Sequence, residues 1–180
     1  MYQLIKQIIK TGIKTEAAPL PDDVLRVDTQ RLHEEILHVF GHALNIRHVD
    51  AGSCNGCELE INAISNAYYN IEGLGIKFVA SPRHADLLLV TGPVSRHMVT
   101  ALKRTFDATP EPKLVVAIGE CACDGGIFCT NDGSPDGGGQ SYASCGRVAN
   151  VIPVDVVVGG CPPSPTAILQ GILTAVSAQK

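Results

Sequence analysis

From residue 45 onward, short apolar runs alternate with stretches whose apolar positions recur at helical spacing. NIRHVDAG, GIKFVA, DLLLVTG, KLVVAIGE and VIPVDVVVGG read as strands, DLLLVTG being a continuous apolar run. Between and after them, ELEINAISNAYYN places Ile61, Ile64 and Tyr68 on one helical face. PVSRHMVTALKRTF predicts a further helix, and PTAILQGILTAVSAQ aligns Ile168, Ile172 and Val176. Apolar strands alternating with helices predict a mostly parallel sheet covered by helices on both faces. In such sheets, sites collect in the loops that leave the carboxyl ends of the strands.

The pattern before residue 45 is different. MYQLIKQIIKTGIK puts Leu4, Ile5, Ile8 and Ile9 on one face, with Lys6, Lys10 and Lys14 as its only charged side chains. A short basic amphipathic helix of this kind docks on a partner or on an anionic membrane surface. Pro19 and Pro21 then mark a loop. A second helix is expected to start after Asp28 or Thr29 and to turn Leu32, Ile36, Leu37 and Phe40 inward. His38 and His42 lie one turn apart on it, but no third ligand or general-base glutamate follows, so they read as an ordinary helix face. The chain therefore divides into a helical docking extension, residues 1–44, and a domain over residues 45–180.

Composition narrows the function. The 180 residues carry a net charge of -4, no Trp and only 4% aromatics, which argues against a nucleic-acid surface. No run of about 20 apolar residues is present to span a membrane. With no signal h-region and no twin-arginine pair, a cytoplasmic protein is expected. Seven cysteines, an odd number, in a reducing compartment read as ligands or free thiols rather than disulfides.

Those cysteines fall at strand ends. Cys54 follows the first strand with Cys57 beside it, Cys121 follows KLVVAIGE, and Cys161 follows VDVVVGG. Three strand ends thus deliver thiols to one rim of the sheet, among the small residues Gly52, Ser53, Gly56, Gly119, Gly159 and Gly160. An iron–sulfur cube needs such close backbone approach. Four thiolates can also hold a structural zinc, although zinc sites usually draw on two compact knuckles. A thioredoxin-like use of C-N-G-C leaves Cys121 and Cys161 without a role. Cys123 competes with Cys121, which is favoured because it comes first after the strand. Cys129 and Cys145 bracket a polar loop and are expected to be free thiols facing a partner. No G-x-G-x-x-G opens a helix, so a nucleotide or flavin site rests on the sheet alone.

Four ordered motifs, GSCNGCELEI, SPRHADLLLVTGPVS, IGECACDGGIF and IPVDVVVGGCPPSP, together resemble the small electron-transfer subunit shared by NiFe hydrogenases and respiratory complex I. The resemblance covers residues 45–178. It implies a flavodoxin-like α/β subunit carrying one [4Fe-4S] cluster, with Cys54, Cys57, Cys121 and Cys161 as ligands at the strand carboxyl-end loops. Complex I members carry adjacent cysteines at the first motif, whereas here Asn55 and Gly56 separate the pair. The spaced pair followed by ELEI looks like the membrane-bound, energy-converting (group 4) hydrogenases, formate hydrogenlyase among them.

The resemblance implies partners as well: a large NiFe-type catalytic subunit, a ferredoxin-like multi-cluster subunit and integral membrane subunits. It puts the chain on the cytoplasmic side of the cell membrane, as a peripheral subunit serving proton reduction or hydrogen oxidation. A complex I-like subunit passing electrons to quinone is the alternative. Arg83, His84 and Asp86 match the family's S-P-R-x-A-D segment, implied to lie toward the large subunit. Arg83 there holds a partner carboxylate or donates to the cluster's surroundings, or else joins Asp86 in fixing the loop before the strand. Glu58 and Glu60 either relay protons or, early in a helix, complement its dipole.

Overall fold

The computed structural model describes residues 41–128 and 141–178, together with helical positions 2, 6, 10, 34 and 36–38. Five strands form one sheet: β1 (Leu44–Asp50), β2 (Ile76–Phe78), β3 (Leu87–Thr91), β4 (Leu114–Ile118) and β5 (Val156–Val158). Their order is β2-β1-β3-β4-β5 and every neighbouring pair is parallel. This is the doubly wound, flavodoxin-like order, in which the chain reverses direction across the sheet between β1 and β3.

Helices α1 (Gly56–Ala63) and α4 (Pro165–Ser177) cover one face through Ile61, Ile168 and Ile172, packed on Ile46, Leu89 and Val116. The other face carries α2 (Val99–Ala108) and α3 (Glu120–Cys123), whose Leu102 and Ala122 pack on Leu88, Val90 and Val115. Both faces of β3 and β4 are therefore dry, which is why all five residues of each are buried. Gly171 lets α4 lie against β5, since a Cβ there would collide with the Val158 side chain. Ile168, Ile172 and Val176 are fully buried, as their spacing predicts.

Two carboxylates pin the amino ends of strands. Asn45 N donates to Asp86 Oδ2 at 2.9 Å, and Val115 N donates to Asp155 Oδ2 at 2.7 Å. Each takes a backbone donor that would otherwise lack a partner at a sheet end.

Several boundaries differ from the pattern-based expectation. The helix after the first cysteines stops at Ala63, and Tyr68 is 74% exposed rather than buried. The cause is Asn66, whose Oδ1 accepts from the backbone N–H groups of Tyr68 and Tyr69 at 2.8 and 3.0 Å and turns the chain. The helix after Pro93 begins only at Val99, because residues 94–96 first pair with residues 143–146. The last strand shrinks to Val156–Val158, since Pro153 offers no ladder donor and Val148–Asn150 winds as a 3-10 turn. Ile36 is buried as expected, but Leu37 is half exposed and His42 lies beyond the helix, past Gly41 at φ +68°. The expectations for Leu4, Ile5, Ile8, Ile9, Lys14, Leu32 and Phe40 lie outside the described residues.

Leu89 sits fully buried at the middle of the central strand, so Leu89→Ala should cost about 2–5 kcal/mol. Val157→Ala, on an edge strand and 60% exposed, should change stability by no more than about 0.5 kcal/mol. Urea denaturation of the two variants beside the unaltered chain measures both.

Candidate metal centre

The loops after β1, β4 and β5 meet at one rim. Gly119 N donates to Val158 O at 2.8 Å and Glu120 N to Gly160 O at 3.0 Å, which ties the β4 and β5 loops together. The β1 loop reaches both: a Cβ on Gly119 would lie 2.6 Å from Cys57 Sγ, and one on Gly56 would lie 3.5 Å from Cys54 Sγ and 3.9 Å from Pro162. Gly119 also has φ 87° and ψ 154°, a backbone region that glycine alone occupies readily. Position 119 is thus closed to side chains by backbone and by space.

The four thiols feel one another. Burial pushes the Cys57 thiol up to about 12, and the charges of Glu58, Cys54, Cys121 and Cys161 act in the same direction. Cys121 is raised by burial and then by Cys161 and Cys54. Near neutral pH Cys57 and Cys121 therefore keep their protons unless a positive centre takes their place. Cys54 and Cys161 are exposed, and Cys57 and Cys121 are half-buried. The rim is open: among the described residues, no three His, Cys, Asp or Glu side chains close around a single ion. Four soft sulfur donors on three loops, above a position where no side chain fits, match the donor set and close backbone approach of an iron–sulfur cluster.

Cys123 behaves differently from Cys121. Its Sγ faces Val158 O at 3.5 Å and Ala117 O at 3.8 Å, and burial pushes it up to about 11. The side chain is turned back onto the sheet backbone. Cys145, expected in a partner-facing loop, instead packs half-buried against the α2 face of the core. Its N–H donates to Val94 O at 2.7 Å, which holds it there. Cys129 lies outside the described residues.

Glu58 is drawn inward, its side chain only 12% exposed. Ser53 Oγ donates to its Oε2 at 2.6 Å, Thr91 Oγ donates to its Oε1, and His48 Nε2 stands 3.7 Å from Oε1. His48 Nε2 also meets Thr91 Oγ at 3.1 Å. Burial holds His48 below the usual histidine value, against the opposing pull of Glu58 and Asp50. Glu60, half-buried on the same helix, does not join this network.

Thr91 and His48 were not among the residues singled out in the sequence. The available signal was a hydroxyl ending the apolar run DLLLVT at a position that is 0% exposed. Arg83 and His84 lie in a turn away from the loops that carry the thiols. Their turn, Pro82–His84, precedes β3 at the amino end of the sheet, and the length of β3, about 13 Å, separates the two ends. Asp86 pins β1, as described above.

A doubly wound α/β subunit with a rim of four thiols is the class that fold and site define. Residues 54–175 match the family described as NADH ubiquinone oxidoreductase, 20 Kd subunit, and the chain belongs to that family, which complex I and NiFe hydrogenases share. It is 41% identical over 151 residues to the probable membrane-bound hydrogenase subunit mbhJ of Pyrococcus furiosus, covering 82% of this chain and 84% of that one. It is 42% identical over 127 residues to formate hydrogenlyase subunit 7 of Escherichia coli, covering 71% of this chain but 46% of that longer one.

Among solved structures, the membrane-bound sulfane sulfur reductase, an archaeal respiratory membrane complex, contains a chain that matches with a TM-score of 0.62. That chain is 29% identical, and the match covers 86% of this chain and 75% of that one. No helix among the described residues is long and apolar enough to cross a membrane.

Cys121→Ala should abolish iron binding on anaerobic purification, while Cys123→Ala should keep it. Gly119→Ala, which retains every thiol, should lose iron with Cys121→Ala. Iron per chain, measured by atomic emission, decides all three, and iron retained in Cys121→Ala with iron lost in Cys123→Ala would exchange the two assignments.

Proposed function

We propose that the chain is the small electron-transfer subunit of a membrane-associated NiFe hydrogenase complex. One [4Fe-4S] cluster, held by Cys54, Cys57, Cys121 and Cys161, supplies one-electron transfer to a large catalytic subunit. The observation that carries this reading is the meeting of four thiols from three strand-end loops at one rim.

The chain's own residues have three tasks there. Gly119 lets backbone approach the sulfurs, the loops after β4 and β5 fix two of the thiols, and the Glu58 network fixes the loop that carries the other two. Exposed Leu59, Ile127 and Phe128 stand beside these loops and suit the apolar centre of a partner interface. A large NiFe-type subunit there would face the exposed Cys54 and Cys161. A ferredoxin-like subunit and integral membrane subunits complete the assembly, and residues 1–44 provide a further docking segment on the cytoplasmic side. The identity to membrane-bound and formate-linked hydrogenase subunits and the spaced cysteine pair favour hydrogen chemistry over a quinone.

A second reading has its own support. The family is described by its NADH ubiquinone oxidoreductase member, and a solved relative belongs to a sulfane sulfur reductase. The same subunit would then deliver electrons to quinone or sulfur.

The intact complex, captured anaerobically through this chain in mild detergent, should contain both iron and nickel and should evolve hydrogen with a reduced low-potential donor. Iron without nickel would replace the hydrogenase reading with the quinone- or sulfur-reducing one.

A further inference from the structure

The tightest polar contacts beside the rim converge on one carboxylate. Glu58 follows Cys57 directly in α1, yet its side chain turns away from solvent and toward the end of β3. There it accepts from Thr91 Oγ and from Ser53 Oγ, the second at 2.6 Å, while Ser53 Oγ in turn accepts from Asn55 N at 3.1 Å. One carboxylate thus ties together Ser53, which precedes Cys54, the first turn of α1, which contains Cys57, and the last residue of the central strand. Asp50, on the same loop, is separately occupied, accepting at 2.8 Å from both Gly52 N and Ser53 N.

The choice of Thr at position 91 needs a reason. β3 is otherwise Leu and Val, position 91 is 0% exposed, and Val has the same shape with better strand packing. A buried hydroxyl is a net cost unless it is hydrogen-bonded. Here it contacts two groups, Glu58 and His48. A largely buried carboxylate fixed at this spot is screened less than one on a mobile surface side chain. An electron added nearby then meets a standing negative charge.

We propose that Thr91 is a positioning residue for electron transfer: its hydroxyl holds the Glu58 carboxylate against the C-x-x-C loop, and that fixed charge keeps the reduction potential of the adjacent centre low. The inference rests on the four-thiol cluster proposed above. Thr91 touches none of the four sulfurs in the contacts described and acts only through Glu58. His48 is the ionisable group facing this corner from β1, and Asp50 is the other acid, whereas Arg47, the preceding residue, points to the opposite face of the sheet. Burial disfavours a proton on His48, so the imidazole is a poor counter-charge for the Glu58 carboxylate.

The test is an EPR-monitored redox titration of the anaerobically purified complex carrying Thr91→Val, Thr91→Ser, Glu58→Gln, or Thr91→Val with Glu58→Gln. Thr91→Val and Glu58→Gln should each move the midpoint to a more positive value. The double variant should move no further than Glu58→Gln alone, and Thr91→Ser, which keeps the hydroxyl, should titrate with the unaltered complex. A Thr91→Val midpoint equal to that of the unaltered complex, or additive shifts in the double variant, would overturn the role of Thr91.

Should Thr91→Val carry no cluster, Glu58→Gln decides, because its amide oxygen still accepts from one hydroxyl while its NH2 group donates to the other. An unmoved midpoint in Glu58→Gln would remove the charge effect on which the inference depends. Absence of any iron–sulfur signal in the unaltered complex would instead defeat the cluster assignment, an outcome distinct from either.

Discussion

A thiolate at Cys57 is opposed by its burial, by Glu58 and by the three sulfurs of Cys54, Cys121 and Cys161. At Cys57 a proton, or a positive metal centre in its place, answers that opposition. The parallel sheet sets the thiols on one side because every strand points the same way, so each following loop leaves from the same edge. Gly119 keeps the floor of the rim free of side chains. Glu58 sits beside Cys57, and two hydroxyls hold its carboxylate there.

The two ends of the sheet have separate tasks. At the amino ends, Asp86 and Asp155 satisfy backbone donors and settle strand register. At the carboxyl ends, the loops carry the sulfurs and the exposed apolar side chains Leu59, Ile127 and Phe128. Stability is concentrated in β3 and β4, dry on both faces, so the open end can be shaped for partner contact without weakening the core. Arg83 and His84 belong to the amino end, whatever partner they meet.

Much of this was legible in the sequence because it depends on local pattern. The runs DLLLV and KLVVAI announce strands covered on both faces, and the spacing of Ile168, Ile172 and Val176 announces the helix that covers one of them. The position of Cys54, Cys121 and Cys161 after three such strands is also a local fact. What could not be read depends on contacts made only after folding. Asn66 ends a helix that periodicity would continue to Tyr68, because its side chain competes for the backbone. Thr91 and Glu58 are 33 residues apart and meet only when β3 lies beside β1. Cys145 looked like a loop thiol because its pairing partner, Val94, is still more remote in sequence.

The family contains subunits of hydrogenase and NADH-quinone oxidoreductase complexes, and on the proposed reading the corner built by Ser53, Glu58 and Thr91 bears on either. The most direct measurement is the iron, acid-labile sulfide and zinc content of the anaerobically purified chain in its complex, with an EPR spectrum after reduction. About four irons and four sulfides for each copy of this chain's rim, absent when Cys54, Cys57, Cys121 and Cys161 are together replaced by Ala, is the result expected for a single cluster on those four thiols. One zinc in place of the iron, or the same iron, sulfide and EPR signal after the four replacements, would contradict it.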